Sequence, residues 1–224
     1  MIITDDKLLD LQKNYINYIP YLQDIHNDFG GPSVHFHRRA LLEGQKQFLS
    51  EIHLELIYAT LASWGMHRMG PTKTKMVDFE IFQNSILALK SELEFFKEYR
   101  IENISDKHVE IFLKLQDLCF SFKVSISNSR IVGNSKVLAH ILPHLIPPID
   151  RQYTIRFFSK TLSNFQGEKE ERKFFDHIIQ RYYQFSKIIK DDNLIKVDSN
   201  FNTSYPKIMD NLIMVYLKNP ENGA

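Results

Sequence analysis

Glycine and proline, eight of each, are gathered in this chain and not spread along it: at Gly30-Gly31-Pro32, from Gly65 to Pro71, and at Pro143 with Pro147-Pro148. These residues interrupt regular structure, so each long stretch between clusters has to close on one kind of element. In those stretches apolar residues return every three or four positions, the period of a helix with one buried face. Residues 51–64 set Ile52, Leu56, Ala59, Leu61 and Ala62 on one stripe, and 77–99 carries Phe79, Phe82, Ile86, Leu89, Leu93 and Phe96. Residues 105–122 open on Ser105-Asp106 as a cap and run through Val109, Phe112, Leu113, Leu115 and Phe120. Residues 168–190 bear Phe174, Phe175, Ile178, Ile179, Tyr182, Phe185 and Ile189, and 205–217 form a last short helix. Val124 to Ile131 comes nearest to strand-like alternation, but four serines or asparagines interrupt it. The expectation is an all-α fold: one globular domain over residues 1–224, with about 9–11 helices at ordinary helix lengths, arranged in two lobes.

Composition narrows the function classes. Hydrophobic residues make up 43% and charged residues 25%, enough for a packed core. The net charge of +1 excludes coating of nucleic acid or anionic membrane through bulk charge, while local basic patches stay open. One cysteine, Cys119, excludes an intramolecular disulfide, a cysteine-built zinc site and a cysteine-ligated iron–sulfur cluster. There is no apolar run near the roughly 18 residues needed to span a bilayer, and the start MIITDDKLLDLQK lacks the pattern of a signal peptide. A soluble cytoplasmic protein without membrane contact is expected.

The segment from Asn128 to Thr154 differs from the rest. Val137, Leu138, Ile141, Leu142 and Leu145 keep helical spacing, so a helix is predicted to start near Asn134, with Gly133 in a tight hairpin just before it. Lys136 and His140 lie four apart and fall off the apolar stripe, onto an exposed or cleft-facing side. Pro143 and Pro147-Pro148 end this helix, and Asp150 is placed to cap the next. Residues 128–160 carry a charge of +4 and residues 35–75 a charge of +3, leaving −6 on the remainder. Two basic segments on an acidic scaffold make a polyanion-binding face if the fold brings them together.

A helix, a hairpin ending Ile131-Val132-Gly133, a helix with Lys136 near its start, and the turn Pro148-Ile149-Asp150 follow in order. This order resembles the helix-hairpin-helix DNA glycosylase superfamily, the endonuclease III-like fold. The hairpin-containing lobe would run roughly from 100 to 165. The patterns Gly31-Pro32…Phe36-His37, Trp64-Gly65-Met66 and Ser135-Lys136…Pro148…Asp150-Arg151 also resemble uncharacterised all-helical proteins of bacteria and archaea. The glycosylase resemblance implies a DNA partner; the four-cysteine cluster motif of many members is absent from this chain, and no cofactor is expected. It implies Lys136 as an amine nucleophile for the sugar C1′, and Asp150 as the carboxylate that steadies the developing cation. The hairpin residues Gly133, Asn134 and Ser135 would hold DNA phosphate. Arg130, Arg151, His37 and Arg38 are further candidates for nucleic-acid contact.

Each residue also has a plainer reading. Lys136 as a solvated charge, Asp150 as an N-cap only, and Trp64 as core beside a capping Gly65 or Gly70 are all compatible with the sequence. Lys136 stands one position later than the lysine of the family, and Asp150 follows it by 14 residues, about one turn sooner than in the family. A non-catalytic helical binding or regulatory module is therefore the second class of function. Nine histidines give no HExxH and no recognisable ligand spacing, so no metal site is expected. Cys119 sits in the apolar run Leu118-Cys119-Phe120 and reads as core.

Overall fold

The computed structural model describes residues 1–22, 25, 30–67, 74–105, 108–160, 164–190 and 202–219. Gly70 and Asp106, both predicted as caps, and Arg68 and Lys73 of the second basic segment lie outside the described residues.

Ten α-helices run in order among the described residues: α1 (Asp6–Asn14), α2 (Pro32–Lys46), α3 (Glu51–Leu61), α4 (Phe79–Leu87), α5 (Lys90–Phe96), α6 (His108–Phe120), α7 (Ile131–Ile141), α8 (Arg156–Phe158), α9 (Glu168–Lys190) and α10 (Tyr205–Lys218). No strand forms among the described residues, which show only the isolated bridges Ile3↔Ser159 and Met76↔Ser125. The architecture is all-α, as the periodicity requires. No helix among the described residues is long and apolar enough to cross a membrane.

One apolar cluster joins these helices. Every residue of the stripe predicted on 168–190 is buried on α9, with Phe174, Phe175, Ile178 and Ile179 wholly so. The single helix expected over 77–99 is two helices. The chain turns at Leu89 (φ −108°, ψ 20°), whose N–H reaches back to Ile86 in a tighter turn at 2.9 Å. The bend lets Leu93 and Phe96 bury beside the core that Phe82 and Ile86 already occupy.

Two helices are enclosed almost all round. On α7, Ile131 and every residue from Gly133 to Ile141 are buried, and on α10 every residue from Pro206 to Leu217 is buried. Enclosed helices are ordinarily apolar on all faces. These carry Asn134, Ser135, Lys136 and His140, and Lys207, Asp210 and Asn211, so each polar group there needs a partner or a cavity.

The start of α7 departs from expectation. Ile131, Val132 and Gly133 are the first turn of the helix and not a hairpin before it. The cap comes from far along the chain: the buried Glu171 carboxylate accepts the N–H of Arg130 at 2.9 Å and of Ile131 at 3.3 Å, and also the Ser129 hydroxyl. An N-terminus satisfied by a residue forty positions away leaves no local signature. Gly133 allows close approach inside the helix, where an added Cβ would sit 3.0 Å from Met66 Cε and 3.3 Å from Val124 Cγ1.

The α2–α3 corner depends on His53, which is wholly buried. Its Nδ1 accepts the N–H of Leu49 at 3.1 Å, holding that residue at φ +57°, and its backbone N–H is capped by Ser50 Oγ. The His53 ring lies where a Cβ on Gly44 would come, within 2.7 Å of Cε1 and Nε2. Gly44→Ala is therefore expected to destabilise the protein by about 1–3 kcal/mol through overpacking, read as a lower urea midpoint at unchanged slope. An unchanged midpoint would show that His53 can yield.

Candidate active-site cleft

A cleft of about 630 Å³ opens between the end of α3, the middle of α7, the 148–153 turn and the first turns of α10. Residues 63–67 of the second basic segment line it without any of that segment's described arginines or lysines, while Lys136 and Arg151 come from the first.

Its floor is α7. Lys136 is only 8% exposed and lines the cleft. Its amine lies 5.5 Å from the Trp64 ring centre, and among the described residues it has neither a hydrogen-bond nor an ion-pair partner. Burial holds its pKa below the ordinary lysine range; Asp150 and Asp210 oppose that shift and Lys207 adds to it. A buried ammonium without a bonded carboxylate is less well stabilised than one in water, so the amine gives up its proton more easily.

Trp64 comes to the cleft because α3 leaves the helical path beside it, with Gly65 at φ +82°. It is half-buried, so it forms a wall and is not plain core. Behind it stand His37 and His140, with ring centres 5.6 and 5.2 Å from its own. A carbonyl can only accept, so His140 Nδ1 donates to Lys136 O, at 2.7 Å. Its Nε2 must then accept from His37 Nδ1 at 2.9 Å. Burial keeps both imidazoles neutral: His140 is pushed down to about 4 and His37 well below the usual range. His37, expected to touch nucleic acid, is buried behind Trp64 and braces that wall. Arg38 stays exposed on α2.

Opposite α7, Asp150 caps the helical turn that begins at Arg151, with Oδ1 accepting the Tyr153 N–H at 2.7 Å. The capping role read from sequence is thus present, and the same residue lines the cleft with Arg151 and Tyr153. Ser135 holds this turn to α7: its hydroxyl is wholly buried and accepts the Ile149 N–H at 3.0 Å. Adjacent residues of α7 therefore supply the cleft amine and the tether that sets Asp150 beside it.

The other hairpin candidates brace the fold. Asn134 Nδ2 donates to Cys119 O at 2.6 Å and to Phe122 O at 2.9 Å, while Arg130 Nη1 donates to Phe120 O. Both satisfy carbonyls at the C-terminus of α6, where a cation is also favoured by the helix dipole. Asn134, Ser135 and Gly133 are all buried, and the backbone N–H groups of Arg130 and Ile131 are taken by Glu171. Cys119 is buried, and burial drives its thiol pKa up. Among the described residues no group of His, Cys, Asp and Glu is arranged to hold a metal ion.

Sequence reasoning missed Lys207 and Asp210, which border the same cleft from α10. Lys207 Nζ donates to Asp210 Oδ2 at 2.7 Å, and both side chains are less than a tenth exposed. A Lys–Asp pair three apart on a helix usually reads as a surface pair. The available signal was the rest of YPKIMDNLIMVYLK, apolar on nearly every face and so marking an enclosed helix. No family model, curated protein or solved structure matches this chain.

Proposed function

We propose that the chain acts on nucleic acid, taking an extruded nucleotide into the cleft and attacking its sugar with the Lys136 amine. The observation that carries this reading is the Lys136 side chain, buried, without a bonded partner among the described residues, and facing an open cleft over Trp64. Proteins keep an unpaired buried amine at a cost in stability, which marks it as a functional group. Trp64 and Tyr153 supply aromatic faces of the kind that hold a flipped base. The neutral amine forms a bond to C1′ as the glycosidic C–N bond breaks, its electron pair leaving with the base, which takes up a proton. A proton then passes from the new N–C1′ centre to O4′ as the ring opens, leaving an iminium. Asp150 has one oxygen on the Tyr153 N–H, leaving its other for the cation developing at C1′. Arg151, exposed at the rim, is suited to a phosphate oxygen.

Borohydride trapping on duplexes carrying abasic, oxidised or deaminated nucleotides tests this. The parent is expected to give a covalent adduct and Lys136→Met none. The same variant replaces an unpaired buried amine with an apolar chain of similar length, so its unfolding free energy is expected to rise by about 1 kcal/mol. An adduct that persists in Lys136→Met overturns the assignment of the nucleophile.

A second reading has its own support. Glu171 fills the helix N-terminus that would meet a phosphate in the family which the chain resembles, as expected for a helical binding module without this chemistry. No adduct from the parent on any duplex favours that reading.

A further inference from the structure

A lysine that attacks carbon must first lose a proton, and two carboxylates, Asp150 and Asp210, line the cleft. Asp150 is committed through Oδ1 to the cap of its own turn. Asp210 has a different setting: it is 3% exposed, lines the cleft that Lys136 faces, and is bonded to Lys207 Nζ at 2.7 Å. We infer that Asp210 is the proton acceptor for Lys136, and that Lys207 is a positioning residue which keeps Asp210 ionised and aimed from α10. This rests on the reading of Lys136 as an amine nucleophile.

Lys136 and Asp210 line the same cleft without a hydrogen bond between them, so the proton crosses through one bridging water or a rotamer change. Lys207 and Asp210 are one turn apart on a helix buried along its length, so neither can swing into solvent to find another partner. Ser204 caps that helix, accepting the Lys207 N–H at 3.3 Å, and fixes the turn that carries the pair. Burial lowers the proton affinity of Lys136 and raises that of Asp210, which narrows the gap that a transfer between them has to climb. In the step, one proton leaves the Lys136 ammonium for an Asp210 oxygen, and the freed lone pair makes the bond to C1′. Asp210 then returns the proton to the departing base, or to the departing water when the substrate is an abasic site. The carboxylate ends as it began.

The test is single-turnover borohydride trapping on an abasic duplex between about pH 6 and pH 10, below the ordinary lysine value. Asp210→Asn keeps size and shape without accepting a proton. Its trapping rate is expected to fall about a hundredfold near neutral pH and to recover toward the parent's in alkali, where hydroxide takes the proton instead. Lys207→Met leaves Asp210 without its cation, so the carboxyl holds its proton and the acid limb moves to higher pH. Rates and profiles equal to the parent's in both variants overturn the inference, as does a loss in Asp210→Asn that is equal at every pH. Where neither variant folds, the parent's own profile decides: a rate that climbs with hydroxide across the whole range leaves no role for an internal acceptor. An adduct absent from the parent sinks the amine reading itself. An adduct lost in Lys136→Met but unchanged in Asp210→Asn sinks only the part played by Asp210.

Discussion

Glu171→Ala is expected to lower the unfolding free energy by about 3–5 kcal/mol, with a fall in urea midpoint and no change in slope. The carboxylate is 1% exposed and accepts three donors, from the Ser129 hydroxyl and the backbone N–H groups of Arg130 and Ile131. It also lies in the first turn of α9, so the N-terminal ends of two helices favour its negative charge. Removing it orphans buried N–H groups at the head of α7 and opens a void at the α7–α9 junction. Glu171→Gln keeps the shape and one acceptor, so a loss of about 1–2 kcal/mol is expected. Equal losses in the two variants would mean that packing, and not capping, is the contribution of Glu171.

Acidification is expected to weaken the fold well before the carboxylates titrate. Burial holds His53 and His140 at about 4, and His144 likewise, the last with help from Arg100. His53 Nδ1 and His140 Nε2 already accept hydrogen bonds, so a proton on either nitrogen would set one donor against another. The folded pKa values lie below the unfolded value near 6.5, so between about pH 6.5 and pH 4 the unfolded chain binds more protons. Stability is thus full above about pH 6.5, falls as pH drops toward 4, and has no further histidine contribution to lose below that. For His53 alone the loss is about 3 kcal/mol over that window. Urea unfolding at pH 7 and pH 5 checks this. The parent should lose several kcal/mol, and His53→Gln should show a shallower dependence. Equal unfolding free energies at the two pH values would show that the imidazoles are hydrated in the folded state.

The periodicity of phenylalanine and isoleucine on 168–190 foretold both the element and its buried face. The stripes read on 51–64 and 105–122 are only partly buried, with Ile52, Val109 and Leu113 left exposed. Asp150 was legible as a cap, since an N-cap is a contact within four residues of chain. The hairpin at Ile131–Gly133 was not there to be read. Local residues give no cap at that point, and the cap that extends the helix comes from Glu171. Charge on an enclosed helix was read least well. Lys136 was visible as a group off the apolar stripe, and the Lys207–Asp210 pair was missed although the apolar residues around it mark an enclosed helix.

The sequence by itself determined that the chain is helical and that Lys136 leaves the apolar stripe of its helix, because the apolar period acts over a few residues. The break at Leu89 and the start of α7 were not legible in it. Tertiary structure alone decided that α7 is buried almost all round, that Glu171 closes its head, and that two lysines and two aspartates meet in one cleft. Those outcomes depend on which helix faces are covered by residues forty to seventy positions away, and the fate of a buried charge is set by what covers it.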